Sequence, residues 1–337
     1  MAPTVIDRCK LAFVCGLFLL LGSASAAPVL VVGHKNPDSD SIFAAISLAY
    51  LKSQQGTPAV AIAQGKPNPE SQFVLDYFGL QAPAVERRVA GNQVMLVDHN
   101  TYAQAPDDIK DAEIVGIIDH HSLGGMLTDE PVEVLIKPVG STNTIIWQLY
   151  ECAGVAVPSA IAGGMLSAIF SDTLVFRSPT TTDSDRAAVE SLAVIADIKD
   201  IKKYGQQMFS AGEADLKTAP IESLLQRDFK NFDMQGNKVG VAQLTAVNFA
   251  LLRDRKGDYL SQMQTLQKAQ GYKSLVLMLT AIESEGSELL IVGENQLEIG
   301  QAFNVRLEDD SAWAAGVMSR KKQVIPVLEK VFDKLKK

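Results

Sequence analysis

Three short apolar runs, at 29–32, 94–97 and 114–118, constrain the fold of this chain more than any other feature. Each is rich in β-branched residues, too short for a buried helix, and apolar without alternation, the pattern of a strand covered on both faces. Helical patterns lie between and after them, at 41–52, 71–78, 142–152, 159–170 and 183–196. Strands alternating with helices predict an α/β fold with a doubly wound parallel-sheet N-terminal domain. The composition agrees: 337 residues, 47% hydrophobic and 21% charged, are an ordinary globular balance with length for about two domains of roughly 150 residues.

The pattern changes near Ala211-Gly212-Glu213-Ala214-Asp215, with Pro220 following, which places a linker at 212–217. Strand candidates then run at 239–247, 274–282, 287–292 and 303–307, with a helix at about 258–269 between the first two. These predict a smaller C-terminal α/β domain with a mixed sheet over 218–337 and a first domain over 27–211.

The first 26 residues have another character. Arg8 and Lys10 precede an apolar run from Leu11 to Gly22, and Ala24-Ser25-Ala26 follows. A basic start, a short apolar core and an Ala-x-Ala exit read as a secretory signal peptide, the alternative being an uncleaved anchor or buried helix. A run of about a dozen residues is short of the ~20 a membrane span needs. The expected product is exported, periplasmic or secreted, and not membrane-bound after cleavage. Cleavage leaves 29 basic against 38 acidic side chains and one cysteine, Cys152. An acidic chain is poorly suited to coating nucleic acid. A single thiol cannot form an internal disulfide, and Cys152, in a helical stretch, is expected to be a buried structural thiol.

The chemistry is concentrated at the strand ends. The chain has four histidines. His34 lies in Gly-His-Lys-Asn-Pro-Asp-Ser-Asp after the first run, His99 in Asp-His-Asn after the second, and His120 and His121 in Asp-His-His after the third. Ligands of open α/β sheets bind beyond the carboxyl ends of the strands. Asp38, Asp40, Asp98 and Asp119 are therefore carried to one crevice with the imidazoles. Carboxylates converging in a cleft must shift their pKa values or be neutralised, and divalent cations neutralise them. Imidazole with carboxylate and no thiolate excludes a Cys-rich zinc site and favours Mn²⁺, with Co²⁺ or Mg²⁺ as substitutes. A single strand-end Asp or His is usually a turn or cap residue. Three clusters in register are not so explained.

These motifs, in this order, resemble the DHH phosphoesterase superfamily, and within it the family II inorganic pyrophosphatases. Ser171-Asp172-Thr173-Leu174, Phe176-Arg177-Ser178-Pro179-Thr180 and Ser319-Arg320-Lys321-Lys322-Gln323 extend the match over the whole chain past the leader. Ser39 stands where Thr is usual, Thr101 where an acidic residue is common, and Arg177 where Lys is usual. The resemblance implies two or more ions per subunit. His34, Asp38 and Asp98 would hold one, and Asp40, Asp98, His120 and Asp172 the other, with Asp98 bridging and Asp119 and His99 orienting the ligands. It further implies that Lys230, Arg320, Lys321 and His121 bind pyrophosphate, His121 as donor or proton relay. Asp38, Asp98 and His121 form its catalytic set, and a bridging hydroxide splits the substrate into two phosphates. Domain closure over the substrate is expected, because the ions belong to the first domain and the basic residues to the second.

The same resemblance implies a homodimer through the first domain. The alternatives are an exopolyphosphatase or another DHH-type phosphoesterase, and an exported metal- or phosphate-binding protein. The nuclease branch typically has a Gly-Gly-Gly-His-type motif in the second domain, and no histidine follows His121.

Overall fold

The computed structural model describes residues 27–336; the leader expected at 1–26, with Cys9 and Cys15, lies outside them. Strands β1 (Val29–Val32), β2 (Ala59–Ala63), β3 (Ala84–Val85), β4 (Gln93–Val97), β5 (Glu113–Asp119) and β6 (Glu133–Ile136) form one sheet in the order β3-β2-β1-β4-β5-β6. Every pairing in it is parallel. Val31, Met95, Val97 and Ile118 face one core, while Val32, Val94, Leu96 and Ile117 face the other. Burial on both faces is why these runs are apolar without alternation.

Helices α1 (Ser39–Gln54), α2 (Pro69–Phe78), α3 (Thr142–Ala153), α4 (Ser159–Thr173), α5 (Asp183–Ile195) and α6 (Ile201–Gly212) complete the first half. The larger core takes Ile42, Phe43, Leu48 and Leu51 from α1 and Met165, Leu166, Ile169 and Phe170 from α4. Each such side chain contributes about 1.5–3 kcal/mol by leaving water. Gly33 is required where β1 turns into the His34 loop, because a β-carbon there would lie 1.9 Å from Ser41 Oγ. The chain order reverses between the neighbouring strands β1 and β4, so their carboxyl ends open the crevice in which such sheets bind ligands.

Beyond a turn at 213–219, the second half comprises α7 (Ile221–Arg227), β7 (Phe229–Met234), β8 (Asn237–Ala246), α8 (Ala250–Arg253), α9 (Lys256–Gln270), β9 (Ser274–Ala281), β10 (Gly286–Gly293), α10 (Gln296–Ala302), β11 (Ser311–Ala315) and α11 (Ile325–Leu335). Its sheet runs β11-β10-β9-β8-β7 and is mixed, with β8 and β9 parallel and the other pairs antiparallel. A π-helical turn, Arg320–Val324, leads into α11. No helix among the described residues is long and apolar enough to cross a membrane.

Two expectations are corrected. Residues 303–307 are not a strand: Phe303 ends α10, Asn304 has φ 55°, and Val305 N–H bonds back to the Gly300 carbonyl. Phe303, Val305 and Leu307 still pack on the core, so the alternation marks a helix exit laid over apolar surface. The strand beside β10 is β11 instead. Cys152 is exposed, since α3 turns Ile145, Ile146 and Tyr150 inward and leaves its last turn to solvent.

Candidate metal centre and phosphate cleft

Five of the six expected ligands lie within a few residues of the carboxyl ends of β1, β4 and β5. Asp98 follows β4 directly, in the left-handed region at φ 61°, a conformation an aspartate tolerates better than most residues. Its two oxygens face different imidazoles. Oδ2 lies 3.3 Å from His34 Nε2, and Oδ1 lies 3.2 Å from His120 Nε2. His34 Nε2 is also 3.2 Å from Asp38 Oδ2. His120 Nε2 is 3.2 Å from Asp172 Oδ2 and 3.7 Å from Asp40 Oδ2. Three groups have their ligating atoms within 4.8 Å of one another, His34–Asp38–Asp98, Asp40–Asp98–His120–Asp172 and Asp98–Asp119–His120–His121, and the first two are the sets the motifs predict.

The tautomers follow from the backbone. His34 Nδ1 lies 2.8 Å from the Lys35 carbonyl and His120 Nδ1 3.2 Å from the Val139 carbonyl. With Nδ1 donating, His34 Nε2 is left to bind a cation; at His120 the Lys321 ammonium lies 2.9 Å from Nδ1 and 3.3 Å from Nε2, a positive charge already set against this imidazole. Asp38 divides its carboxylate, Oδ1 capping α1 by accepting Ser41 N–H at 2.9 Å while Oδ2 meets His34. Asp40 sits at the N-terminus of α3, accepting from Ser141 Oγ (2.6 Å), Thr142 N (2.7 Å), Asn143 N (3.2 Å) and Asn143 Nδ2 (2.7 Å). Asp172 lies in the last turn of α4, after which Leu174, Val175 and Phe176 all take positive φ and turn the chain sharply away.

The electrostatics show a centre short of positive charge. Burial and the neighbouring Asp98 and Asp172 push Asp40 well up, while the donors of α3 pull the other way. Burial, with Asp38 and Asp98 contributing, raises Asp172 against the pull of His120. Burial would lower His34, but Asp38 and Asp98 outweigh it and hold the imidazole up at about 10. Burial and Lys321 likewise oppose His120, which Asp172 and Asp98 hold at about 10. Hard oxygen and imidazole donors, buried and without thiolate, fit divalent Mn²⁺, Co²⁺ or Mg²⁺.

Asp119 is fully engaged. Oδ1 accepts from His120 N, His121 N and His121 Nδ1, and Oδ2 from Asn100 Nδ2. That saturation suits a group that orients others. Burial holds His121 down at about 3, so it is neutral, with Nδ1–H on Asp119 at 2.8 Å. Its Nε2 has no protein partner among the described residues. His99 departs from expectation: among the described residues its only hydrogen bond is from Nδ1 to the Val97 carbonyl, and it bonds to none of the candidate ligands.

A cleft of ≈ 520 Å³ opens over this centre, and Asp98, His121, Asp172, Lys230, Arg320 and Lys321 all line it. Lys230, on β7, is 91% buried by its neighbours, not the ordinary surface lysine its local sequence suggests. Arg320 donates to the Asp228 carbonyl at 2.7 Å and pairs with its carboxylate at 2.8 Å. Lys321 Nζ reaches across to lie 2.9 Å from His120 Nδ1. Arg177 donates to the Ile282 carbonyl and Lys322 to the Pro179 carbonyl, so the two halves meet at the segment 177–179.

The sequence reading missed Asp228, the Ser141–Asn143 cradle of Asp40, and Glu70. Glu70 is tied to Ser39 and Ser171 at the rim of the carboxylate cluster. Ser141 before a helical pattern was an available N-cap signal. Nothing local marks Glu70.

Residues 28–169 match the DHH family, N-terminal domain, and residues 206–331 match the DHHA2 domain. A Streptococcus mutans protein named "Probable manganese-dependent inorganic pyrophosphatase" is 42% identical over 308 residues, covering 90% of this chain and 99% of its own. An Enterococcus faecalis protein of the same name is 44% identical over 307 residues, with the same coverage. The crystal structure of a Methanococcus jannaschii protein assigned to the family II inorganic pyrophosphatases superposes with a TM-score of 0.82 at 40% identity, covering 90% of this chain and 99% of that one.

Proposed function

Because the chain belongs to the family II, manganese-dependent inorganic pyrophosphatases of the DHH superfamily, we infer that it hydrolyses inorganic pyrophosphate to two phosphates. One observation carries this reading: the two oxygens of Asp98 are divided between two histidine–carboxylate sets, under a cleft faced by Lys230, Arg320 and Lys321. That arrangement matches a small polyanion bound over paired cations.

The finer assignment is that His34, Asp38 and Asp98 hold one Mn²⁺ and Asp40, Asp98, His120 and Asp172 a second. Divalent ions in these sets supply charge neutralisation and acidify water towards a pKa of about 7. The protein's own groups do the rest. Asp119 fixes the neutral His121 through Nδ1, which leaves Nε2 as an acceptor for a proton-bearing substrate oxygen in the cleft. Asp228 fixes Arg320 so that its remaining N–H groups are preorganised for phosphate oxygens, as a planar fork suits them. Lys230 and Lys321 add point charges, and the burial of Lys230 makes its charge act more strongly than in water. Positioning and charge stabilisation are the main demands of phosphoryl transfer.

The test is phosphate release by metal-depleted protein with Mn²⁺, Co²⁺ or Mg²⁺ restored separately, on pyrophosphate and on tripolyphosphate. Restored cleavage of pyrophosphate in preference to tripolyphosphate is expected. The reverse preference would make the chain an exopolyphosphatase, and stoichiometric Mn²⁺ binding without phosphate release a metal-binding protein.

We also propose export to the periplasm or exterior, supported by Arg8, Lys10, the apolar run and Ala24-Ser25-Ala26. The family match begins just past that site, at residue 28. N-terminal sequencing of fractionated protein tests it, and mature protein starting at Met1 in the cytosol would refute it. The homodimer through the first domain is likewise a proposal, to be checked by light scattering.

A further inference from the structure

Glu70 takes no part in the chemistry described above, yet it touches two helices that carry candidate ligands, α1 and α4. It lies in the first turn of α2, which Asn68 caps and Pro69 opens. A single oxygen, Oε1, accepts Ser39 Oγ–H at 2.6 Å and Ser171 Oγ–H at 2.7 Å. Ser39 is the residue between Asp38 and Asp40, and Ser171 immediately precedes Asp172. Ser39 Oγ is also 3.0 Å from Ser71 Oγ. Since the one Ser39 proton points at Glu70, Ser71 must be the donor in that pair. Ser71, Ser39 and Ser171 therefore form a network of donors converging on Glu70 Oε1 across the starts of α1 and α2 and the end of α4.

The network spans 31 residues from Ser39 to Glu70 and 101 from Glu70 to Ser171. Asp38 belongs to one histidine–carboxylate set, and Asp40 and Asp172 to the other. Apart from the path through the candidate ligands themselves, Asp38–His34–Asp98–His120–Asp172, no other side-chain hydrogen bonds among the described residues join the Asp38–Asp40 turn to the Ser171–Asp172 turn. Without a tie, the carboxylates of the two turns would repel and part, because like charges that close disfavour a common pocket.

We propose that Glu70 is a positioning residue that clamps the Asp38–Asp40 turn to Asp172 through Ser39 and Ser171, presetting the spacing of the two sets for a pair of divalent cations. The clamp works by hydrogen-bond acceptance at one oxygen, not by charge, and Oε2 has no protein hydrogen-bond partner among the described residues. A glutamine keeps a carboxamide oxygen with two lone pairs at the same place, whereas an alanine removes the acceptor. This inference rests on the two-ion reading of the site.

The experiment compares the wild-type chain with Glu70→Ala, Glu70→Gln and Ser171→Ala. Mn²⁺ affinity is read by electron paramagnetic resonance of the free ion, with kcat, KM and the melting temperature of the metal-free protein alongside. Groups that orient ligands typically matter about 10–100-fold in metal affinity, and a loss in that range is expected for Glu70→Ala. Glu70→Gln should stay close to wild type, and Ser171→Ala should fall between them. If Glu70→Ala does not fold, Ser171→Ala decides by its smaller loss of Mn²⁺ affinity.

Unchanged Mn²⁺ affinity in the alanine variants, even with a lowered melting temperature, would overturn the clamp as a metal-positioning device. So would a glutamine variant as impaired as the alanine one, because the carboxylate would then act through charge or a proton. A wild-type chain binding fewer than two ions overturns the two-ion reading and the clamp together. A wild type with two ions beside an indifferent Glu70→Ala overturns the clamp alone.

Discussion

Replacing Arg320 by alanine separates phosphate stabilisation from metal binding more cleanly than any other change at the site. The guanidinium is 11% exposed and held by the Asp228 carbonyl at 2.7 Å and carboxylate at 2.8 Å. It approaches no candidate ligand of either ion within the distance of an ion pair. Its orientation is therefore set before substrate arrives, and little reorganisation is needed when charge develops on the leaving phosphate. Removing one preorganised donor of this kind costs about 10²–10³ in turnover, or about 2.7–4 kcal/mol. Arg320→Ala should lose that much in kcat on pyrophosphate while Mn²⁺ affinity stays within about twofold. Arg320→Lys keeps the charge without the planar fork and should recover only part of the loss. Steady-state phosphate release and Mn²⁺ titration on the same preparations check both quantities. Full turnover in Arg320→Ala, or a parallel collapse of metal affinity, would refute the assignment.

Asp98→Asn should weaken both ions at once, since one oxygen serves each set; breaking a buried pair costs about 3–5 kcal/mol, and calorimetry that finds one site intact would contradict sharing. Mn²⁺ uptake should release protons. With His34 and His120 held at about 10 in the metal-free protein, both are charged at neutral pH and must lose a proton to bind. Apparent affinity should therefore rise with pH below that range, by up to about tenfold per unit for each proton, and calorimetry in buffers of different ionisation enthalpy counts them. The contacts of Lys321, Lys322 and Arg177 across the cleft describe a closed arrangement. X-ray scattering should accordingly show contraction when Mn²⁺ and a non-hydrolysable pyrophosphate analogue are added, and an unchanged radius of gyration would count against closure.

The strand-end motifs were legible because sheet geometry does the work: any residue just past a buried parallel strand arrives at the same edge. β1, β4 and β5 are neighbours although β2 and β3 lie between them in sequence. The sequence reading passed over those two strands and β6, because Ala59–Ala63 is small and half exposed, Ala84–Val85 is two residues long, and β6 is a partly exposed edge. β7 escaped because Phe-Lys-Asn-Phe-Asp-Met is a mixed-polarity edge strand, which hid the burial of Lys230. Residues 303–307 misled because alternation also arises where an extended helix exit lies on a core. Glu70 was illegible for a different reason: its role depends on contacts 31 and 101 residues away, and no local pattern encodes them.

The claim beneath all of this is that two cations meet around Asp98, and counting them tests it directly. Metal-depleted protein should take up two Mn²⁺ per chain from equilibrium dialysis, and anomalous scattering from the loaded crystal should place one beside His34 and one beside His120. A single manganese, or a pair bound away from Asp98, would contradict it.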